Sequence, residues 1–268
     1  MSNANTGSSP KKEPAAHASP RTGRFFRDAR RTAVEWVAEL LFPRACVGCD
    51  RDGSFLCDAC RNALPRKERH DCPFCRHVDT PSGATCFSCA KRHALDGIFA
   101  AMPFQGNPTA EDAIHVLKYE FVTELARPLG TLLVDSVSAT DLPIPDALIP
   151  VPLHPWRFRF RGFNQASLIA GILASELTPG LPIPLREDIL RRTRFTLSQA
   201  RSKSAKERRE NLSGAFAVRK EKDLREEIKG KTFWLVDDVA TTGTTLEECA
   251  RILKKRGAKK VFGIVLAR

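Results

Sequence analysis

The chain has 268 residues, with 43 Lys and Arg against 31 Asp and Glu and a formal charge of +12. Its 42% hydrophobic and 28% charged residues exclude both a disordered polymer and a membrane bundle, and no run of about 18 apolar residues offers a transmembrane helix. The polar start lacks the apolar stretch of a secretory signal, so a cytoplasmic protein is expected, and the basic balance points to an anionic partner.

Residues 1–31 carry seven basic side chains against Glu13 and Asp28, with almost nothing apolar before Phe25. Such a stretch does not repay its ordering entropy and is expected to be a disordered basic tail. Over residues 32–43, Val34, Trp36, Val37, Leu40 and Leu41 recur at helical spacing before Pro43, predicting one short amphipathic helix. Its stripe is expected to dock on the neighbouring domain rather than on a membrane surface.

Residues 44–93 hold eight of the nine cysteines, as Cys46/Cys49, Cys57/Cys60, Cys72/Cys75 and Cys86/Cys89. In a reducing compartment such clustering reads as metal binding. A two-residue gap lets one knuckle give two sulfurs to a tetrahedral Zn²⁺, so four knuckles fill two structural sites. Eight thiolates on two zinc ions would lower the formal +12 by four, to +8, which is still basic. With few large apolar residues, this segment is expected to need the metal to fold. Sequential use of the pairs closes shorter loops than an interleaved cross-brace, which stays open as the alternative. Redox dithiols or an iron–sulfur cluster explain four reiterated pairs less well. Gly48 and Gly53 suit tight turns, and His70, His77 and His93 are expected at the surface rather than as ligands.

From residue 94 to 268 apolar runs alternate with helical periodicity. Strands are predicted over 97–104, 147–151, 232–236 and 260–266. Helices are predicted through Ile114, Leu117 and Phe121, and over 124–137, 164–177 and 243–256. This alternation gives an α/β fold, a parallel sheet with helices on both faces, preceded by the small cysteine module. Cys249 falls among apolar positions of the last helix and reads as a small core residue.

The segment Phe233-Trp-Leu-Val-Asp-Asp-Val-Ala-Thr-Thr-Gly-Thr-Thr245 runs an apolar strand into two carboxylates, Asp237 and Asp238, then into a loop that opens a helix. Open N–H groups at a helix start attract a phosphate, and Gly243 lets the backbone approach it. Thr241, Thr242, Thr244 and Thr245 add hydroxyls. The carboxylates would be repelled by that phosphate, so they are expected to accept from sugar hydroxyls or to help hold a divalent cation. Phosphoribose meets both demands. A nucleotide P-loop is excluded because its Gly-x4-Gly-Lys-Ser/Thr pattern is absent.

In Pro150–Gln165 the residues Arg157, Arg159 and Arg161 alternate with Trp156, Phe158 and Phe160. A cationic face with stacking surfaces suits single-stranded nucleic acid, and the same arginines could grip pyrophosphate. Core aromatics with solvated arginines are the equal alternative. Residues 185–220 hold eleven Lys and Arg against four Asp and Glu, an arm with Arg191, Arg192, Arg194, Arg201 and Lys203 able to close over a polyanion.

Residues 233–245 match the signature of type I phosphoribosyltransferases, and the whole of residues 33–268 resembles the ComF family of competence-associated, phosphoribosyltransferase-like proteins. The shared elements are Leu-Phe-Pro-Arg44, the four cysteine pairs, Ile114-His-Val-Leu-Lys-Tyr119, Val151-Pro-Leu-His-Pro155, Arg161-Gly-Phe-Asn-Gln165, Thr196-Leu-Ser-Gln-Ala200, Arg208-Arg-Glu-Asn211 and Val236-Asp-Asp-Val-Ala-Thr-Thr-Gly-Thr-Thr245. The resemblance implies a double zinc ribbon fused to a type I phosphoribosyltransferase fold. It implies a role in taking up transforming DNA as single strands, with DNA-uptake machinery at the inner membrane as a partner. The threonine loop would take the 5-phosphate of phosphoribosyl pyrophosphate, with Mg²⁺, and Asp237 and Asp238 would contact the ribose. The loop ending in His154 would face pyrophosphate. Binding of this ligand and of single-stranded DNA is the expected function; transfer to a nucleobase or another nitrogen nucleophile is the alternative.

Overall fold

The computed structural model describes residues 44–120, 122–194, 214–219 and 224–268. The basic tail, the helix expected over 32–43, Phe121, Arg201, Lys203 and most of the basic arm therefore lie outside the described residues. Arg44–Arg268 form one compact unit. Among the described residues no helix is long and apolar enough to cross a membrane.

The cysteine segment contributes two short helices, α1 (Asp58–Ala63) and α2 (Phe87–Ala90). After it come β1 (Gly97–Met102), α3 (Pro108–Tyr119), α4 (Ala126–Ser138) and β2 (Ala147–Pro150). Helices α5 (Pro155–Arg161) and α6 (Gln165–Glu176) follow, then β3 (Leu190–Arg192) and β4 (Phe216–Val218). The chain closes through α7 (Arg225–Ile228), β5 (Thr232–Val239), α8 (Thr244–Lys255) and β6 (Lys260–Ala267). Four strands make one parallel sheet in the order β1-β6-β5-β2, while β3 and β4 pair as a separate antiparallel ribbon.

The central strands are apolar on both faces because both faces are covered. Alternate residues Phe99, Trp234, Val236 and Ile264 pack with Leu117 of α3, Leu133 of α4 and Leu173 of α6. Their neighbours Ile98, Ile149, Leu235 and Val265 pack with Leu246, Cys249 and Leu253 of α8 and with the β3–β4 ribbon. Cys249 is fully buried there. The outer edge of β2 is closed by the segment after α6: Leu148 donates to the Pro184 carbonyl and Arg186 donates back to the Leu148 carbonyl, each at 2.8 Å.

Two predicted elements change in ways that matter for the site. The strand expected over 232–236 runs on to Val239, because β6 continues beside it, with Asp237 opposite Val265 and Val239 opposite Ala267. The carboxylates thus sit inside the ladder rather than beyond it. The stretch of alternating arginines and aromatics is helix α5. Pro155 stands in its first turn, His154 Nδ1 accepts the Trp156 N–H at 3.2 Å, and Gly162 ends it at φ +77°.

Candidate functional site

Alternation along β5 sends Asp237 and Asp238 to opposite faces. Asp238, 4% exposed, accepts from Lys118 Nζ at 2.8 Å and from Gln165 Nε2 at 2.9 Å. Gln165 in turn accepts from Arg161 at 2.9 Å, and the Arg161 guanidinium lies over the Tyr119 ring, 5.1 Å from its centroid. Asn164 caps α6 and also donates to the Val151 carbonyl at 3.1 Å, so one residue fixes α6 against the end of β2. Asp237 faces the α8 side, near Arg192 and Cys249. Burial and the neighbouring Asp238 charge push its pKa up to about 7.

The loop beyond β5 is held by Ala240, whose N–H donates to the Ala267 carbonyl at 3.1 Å. Gly243 then turns the chain into α8 at φ +71°, and no side chain caps that helix start. The N–H groups of such a helix start suit an anionic acceptor. The Thr242 and Thr244 hydroxyls bond each other at 2.8 Å beside it. Gly243→Ala is expected to destabilise the protein by about 1–3 kcal/mol in urea unfolding. A side chain there would hold a left-handed backbone and would also meet Ile98 Cδ1 at 2.6 Å.

Helix α5 sorts its residues by angle, so the three expected arginines do not form one surface. Arg157 and Arg161 are half-buried, and Arg161 reaches Asp238 through Gln165; burial and then the Arg161 charge lower the Arg157 pKa. Arg159 is exposed. Trp156 and Phe160 are 59% and 64% exposed and stack nearly parallel, with centroids 5.9 Å apart. Arg192 is on the β3–β4 ribbon beside Asp237, and Arg194 is exposed just past it. Lys118 and Gln165 are not among the site residues the sequence motifs single out. Their signal was a cation and an amide placed where an apolar helix ends or begins, inside motifs that carried the family resemblance.

The cysteines gather in sequence order, Cys46, Cys49, Cys57 and Cys60 in one cluster and Cys72, Cys75, Cys86 and Cys89 in the other, with all sulfurs of a cluster within 4.8 Å. Tetrahedral Zn–S bonds of about 2.3 Å require sulfurs roughly 3.8 Å apart. The Cys49–Cys57 and Cys75–Cys86 separations are 3.8 Å, so both donor sets fit zinc. Backbone N–H groups of Cys57 and Cys86 point at Cys46 Sγ and Cys72 Sγ at 3.3 and 3.4 Å. The residue after each first knuckle, Asp50 or Arg76, takes a left-handed turn at φ 56° or 57°. Gly48 lies in the turn of the first knuckle, as expected, and a Cβ there would also lie 2.9 Å from Cys60 Sγ. His70 and His93 belong to neither cluster, yet they are half-buried rather than at the surface, stacked on Phe99 and Phe74.

The second cluster is tied to the loop. Arg76 donates to the Thr241 carbonyl at 2.6 Å, and Arg268 donates to the Pro73 carbonyl at 2.8 Å, between two ligands. Buried Glu247, in the first turn of α8, accepts the N–H groups of Ala94 and Leu95 at 3.0 Å each.

A parallel sheet with helices on both faces, a threonine-glycine loop opening α8 and an acidic pair at the same strand end define a phosphoribosyltransferase fold joined to a tetrathiolate module. The family model for the phosphoribosyl transferase domain matches residues 164–268. The chain is 32% identical to competence protein F of Haemophilus influenzae over 219 residues, 80% of this chain and 90% of that one. It is 32% identical to DNA utilization protein YhgH of Escherichia coli K12 over 217 residues, 77% and 87% of the two chains. Competence protein ComFC of Bacillus subtilis is 26% identical over 222 residues, 80% and 84%. The chain belongs to the ComF family.

Proposed function

We propose that this protein binds phosphoribosyl pyrophosphate with Mg²⁺ at the 241–245 loop, binds single-stranded DNA, and acts in DNA uptake during natural transformation. The observation that carries the reading is the uncapped start of α8, placed beside the buried Asp238. Thr241, Thr242, Gly243, Thr244 and Thr245 would hold the 5-phosphate, and Asp237 and Asp238 the ribose side. His154, Arg157 and Arg161 would face the pyrophosphate. The names of the relatives, competence and DNA utilization proteins, support the biological setting. Calorimetric titration with phosphoribosyl pyrophosphate should show binding that weakens at least tenfold, about 1.4 kcal/mol, when Mg²⁺ is withdrawn. No heat with Mg²⁺ present would overturn the reading.

For DNA, the stacked Trp156 and Phe160, with exposed Arg159 on the same helix, offer an exposed base-stacking surface. Trp156→Ala is expected to weaken oligo(dT) binding by about 1–3 kcal/mol in fluorescence anisotropy, with affinity falling steeply with salt. Phosphoribosyl transfer is a second reading, favoured by Asp237, whose pKa near 7 suits proton transfer. Pyrophosphate release with a nucleobase acceptor, lost in Asp237→Asn, would establish it.

A further inference from the structure

A cavity of about 460 Å³ lies beside the phosphate loop and is lined by Lys67, Asp71, Arg76, Gln105, Thr241 and Arg268, among others. It sits over the carboxyl ends of β1, β6 and β5 and shares Thr241 and Thr242 with that loop. Gln165, which holds Asp238, and Arg161, which holds Gln165, come instead from the segment after β2, at the other edge of the sheet. We propose that this cavity is a second anion site, which takes a phosphate of the DNA strand next to the loop. It rests on the reading that the protein binds single-stranded DNA.

Three cations from separate parts of the chain converge here, and the acid among these six residues is Asp71, 3.8 Å from Lys67 Nζ. Asp71 offsets the three cations only in part. Burial lowers the Lys67 pKa, which the Asp71 charge opposes and the repelling charges of Arg268 and Arg76 reinforce; at Arg268 burial and Arg76 likewise lower the pKa against Asp71 and Cys72. An anion would relieve that repulsion. Arg76 and Arg268 each spend one N–H on a backbone carbonyl, of Thr241 and Pro73, which orients the guanidinium and leaves other donors for a ligand. Among the described residues Arg268 Nε is buried and finds no acceptor. The volume suits one nucleotide, and a cation set adjoining a first phosphate loop suits a ligand that repeats its phosphates.

The test is oligo(dT) binding by anisotropy across a KCl series, for the full chain and for Lys67→Gln/Arg268→Gln. Each lost contact to single-stranded phosphate should reduce the log–log salt slope by about 0.7. The double variant should therefore lose about one unit of slope or more and bind about tenfold more weakly at low salt. Gln105→Glu, an exposed change that sets a like charge against the phosphate, should also weaken binding, and it serves if the double variant fails to fold. If dTMP at equal nucleotide concentration displaces the oligonucleotide, and does so only from the wild type, the same phosphate chemistry belongs to a free nucleotide. Unchanged slope and affinity in folded variants overturn the inference. So does a loss confined to phosphoribosyl pyrophosphate, which would make the cavity part of the first site. A wild-type protein that binds no DNA fails earlier in the same experiment and removes the underlying reading as well.

Discussion

Stripping the metal with a chelator is expected to unfold residues 44–93 and to release two zinc ions per chain, read by a colorimetric zinc indicator and by exposure of apolar surface to a dye. The large side chains buried in this segment are Leu56 and Leu64. Together they contribute about 3–6 kcal/mol, against an ordering cost of about 1–2 kcal/mol for each residue's backbone. Metal binding, about 10–16 kcal/mol for a structural zinc site, supplies most of what is missing. The free thiols show why a cation is needed. In the second cluster burial opposes charge on Cys72, yet N–H groups of Cys75, Cys86 and Phe74 pull its pKa down to about 6. Burial and the neighbouring sulfurs push Cys89 up to about 12. Without a metal, charge favoured on Cys72 comes at the expense of charge on Cys89. Zinc must displace these protons, so affinity falls as pH falls, and release should come earlier in acid than at neutral pH.

The two clusters should differ in consequence. Cys46 packs with Leu56 and Leu64 in the core beneath α3 and α4, whereas the second knuckle holds Thr241 through Arg76. Cys75→Ser is therefore expected to weaken phosphoribosyl pyrophosphate binding, and Cys49→Ser to lower stability with a smaller effect on the ligand. Equal losses of affinity would show that the Arg76 tie does not matter.

Much of this was legible in residue order because the signals are local. Cysteine pairs with two residues between them declare a knuckle, and a continuously apolar run such as Ala147–Pro150 declares a strand buried on both sides. Sequence reading failed where tertiary context decides. Asp237 and Asp238 are poor strand formers, so residue order alone ends the strand at Val236; β6 alongside carries the ladder through them. The Arg–aromatic alternation looked like one mixed surface because spacing by two suggests an extended chain. Pro155, the His154 cap and Gly162 make it a helix, and successive side chains then part by about 100°. The Lys118–Asp238–Gln165 cluster joins residues 47 to 120 positions apart, and nothing local announces it. The same holds for Arg76 and Thr241.

Asp238→Ala is expected to cost about 3–5 kcal/mol in denaturant unfolding, because it leaves the Lys118 ammonium uncompensated in a largely dry site and deprives Gln165 of its acceptor. Lys118→Met should cost a similar amount, for the mirror-image reason. The double variant Lys118→Met/Asp238→Leu removes both charges together and should recover much of the lost stability, but not affinity for phosphoribosyl pyrophosphate. That split separates a structural ion pair from a ligand site: affinity that returned with stability would deny Asp238 any contact with the sugar. Asp238→Asn keeps the shape and removes the charge, so it also reports on Asp237. Asp237 is raised in the folded state by burial and by Asp238. It therefore favours folding at low pH, and that contribution is lost as pH climbs from the ordinary carboxylate range to about 7. With Asp238 neutral one of the two causes is gone, and the decline in stability over that window should become shallower. An unchanged slope would mean that burial alone sets the Asp237 proton, and that the two carboxylates on opposite faces of β5 do not act on each other.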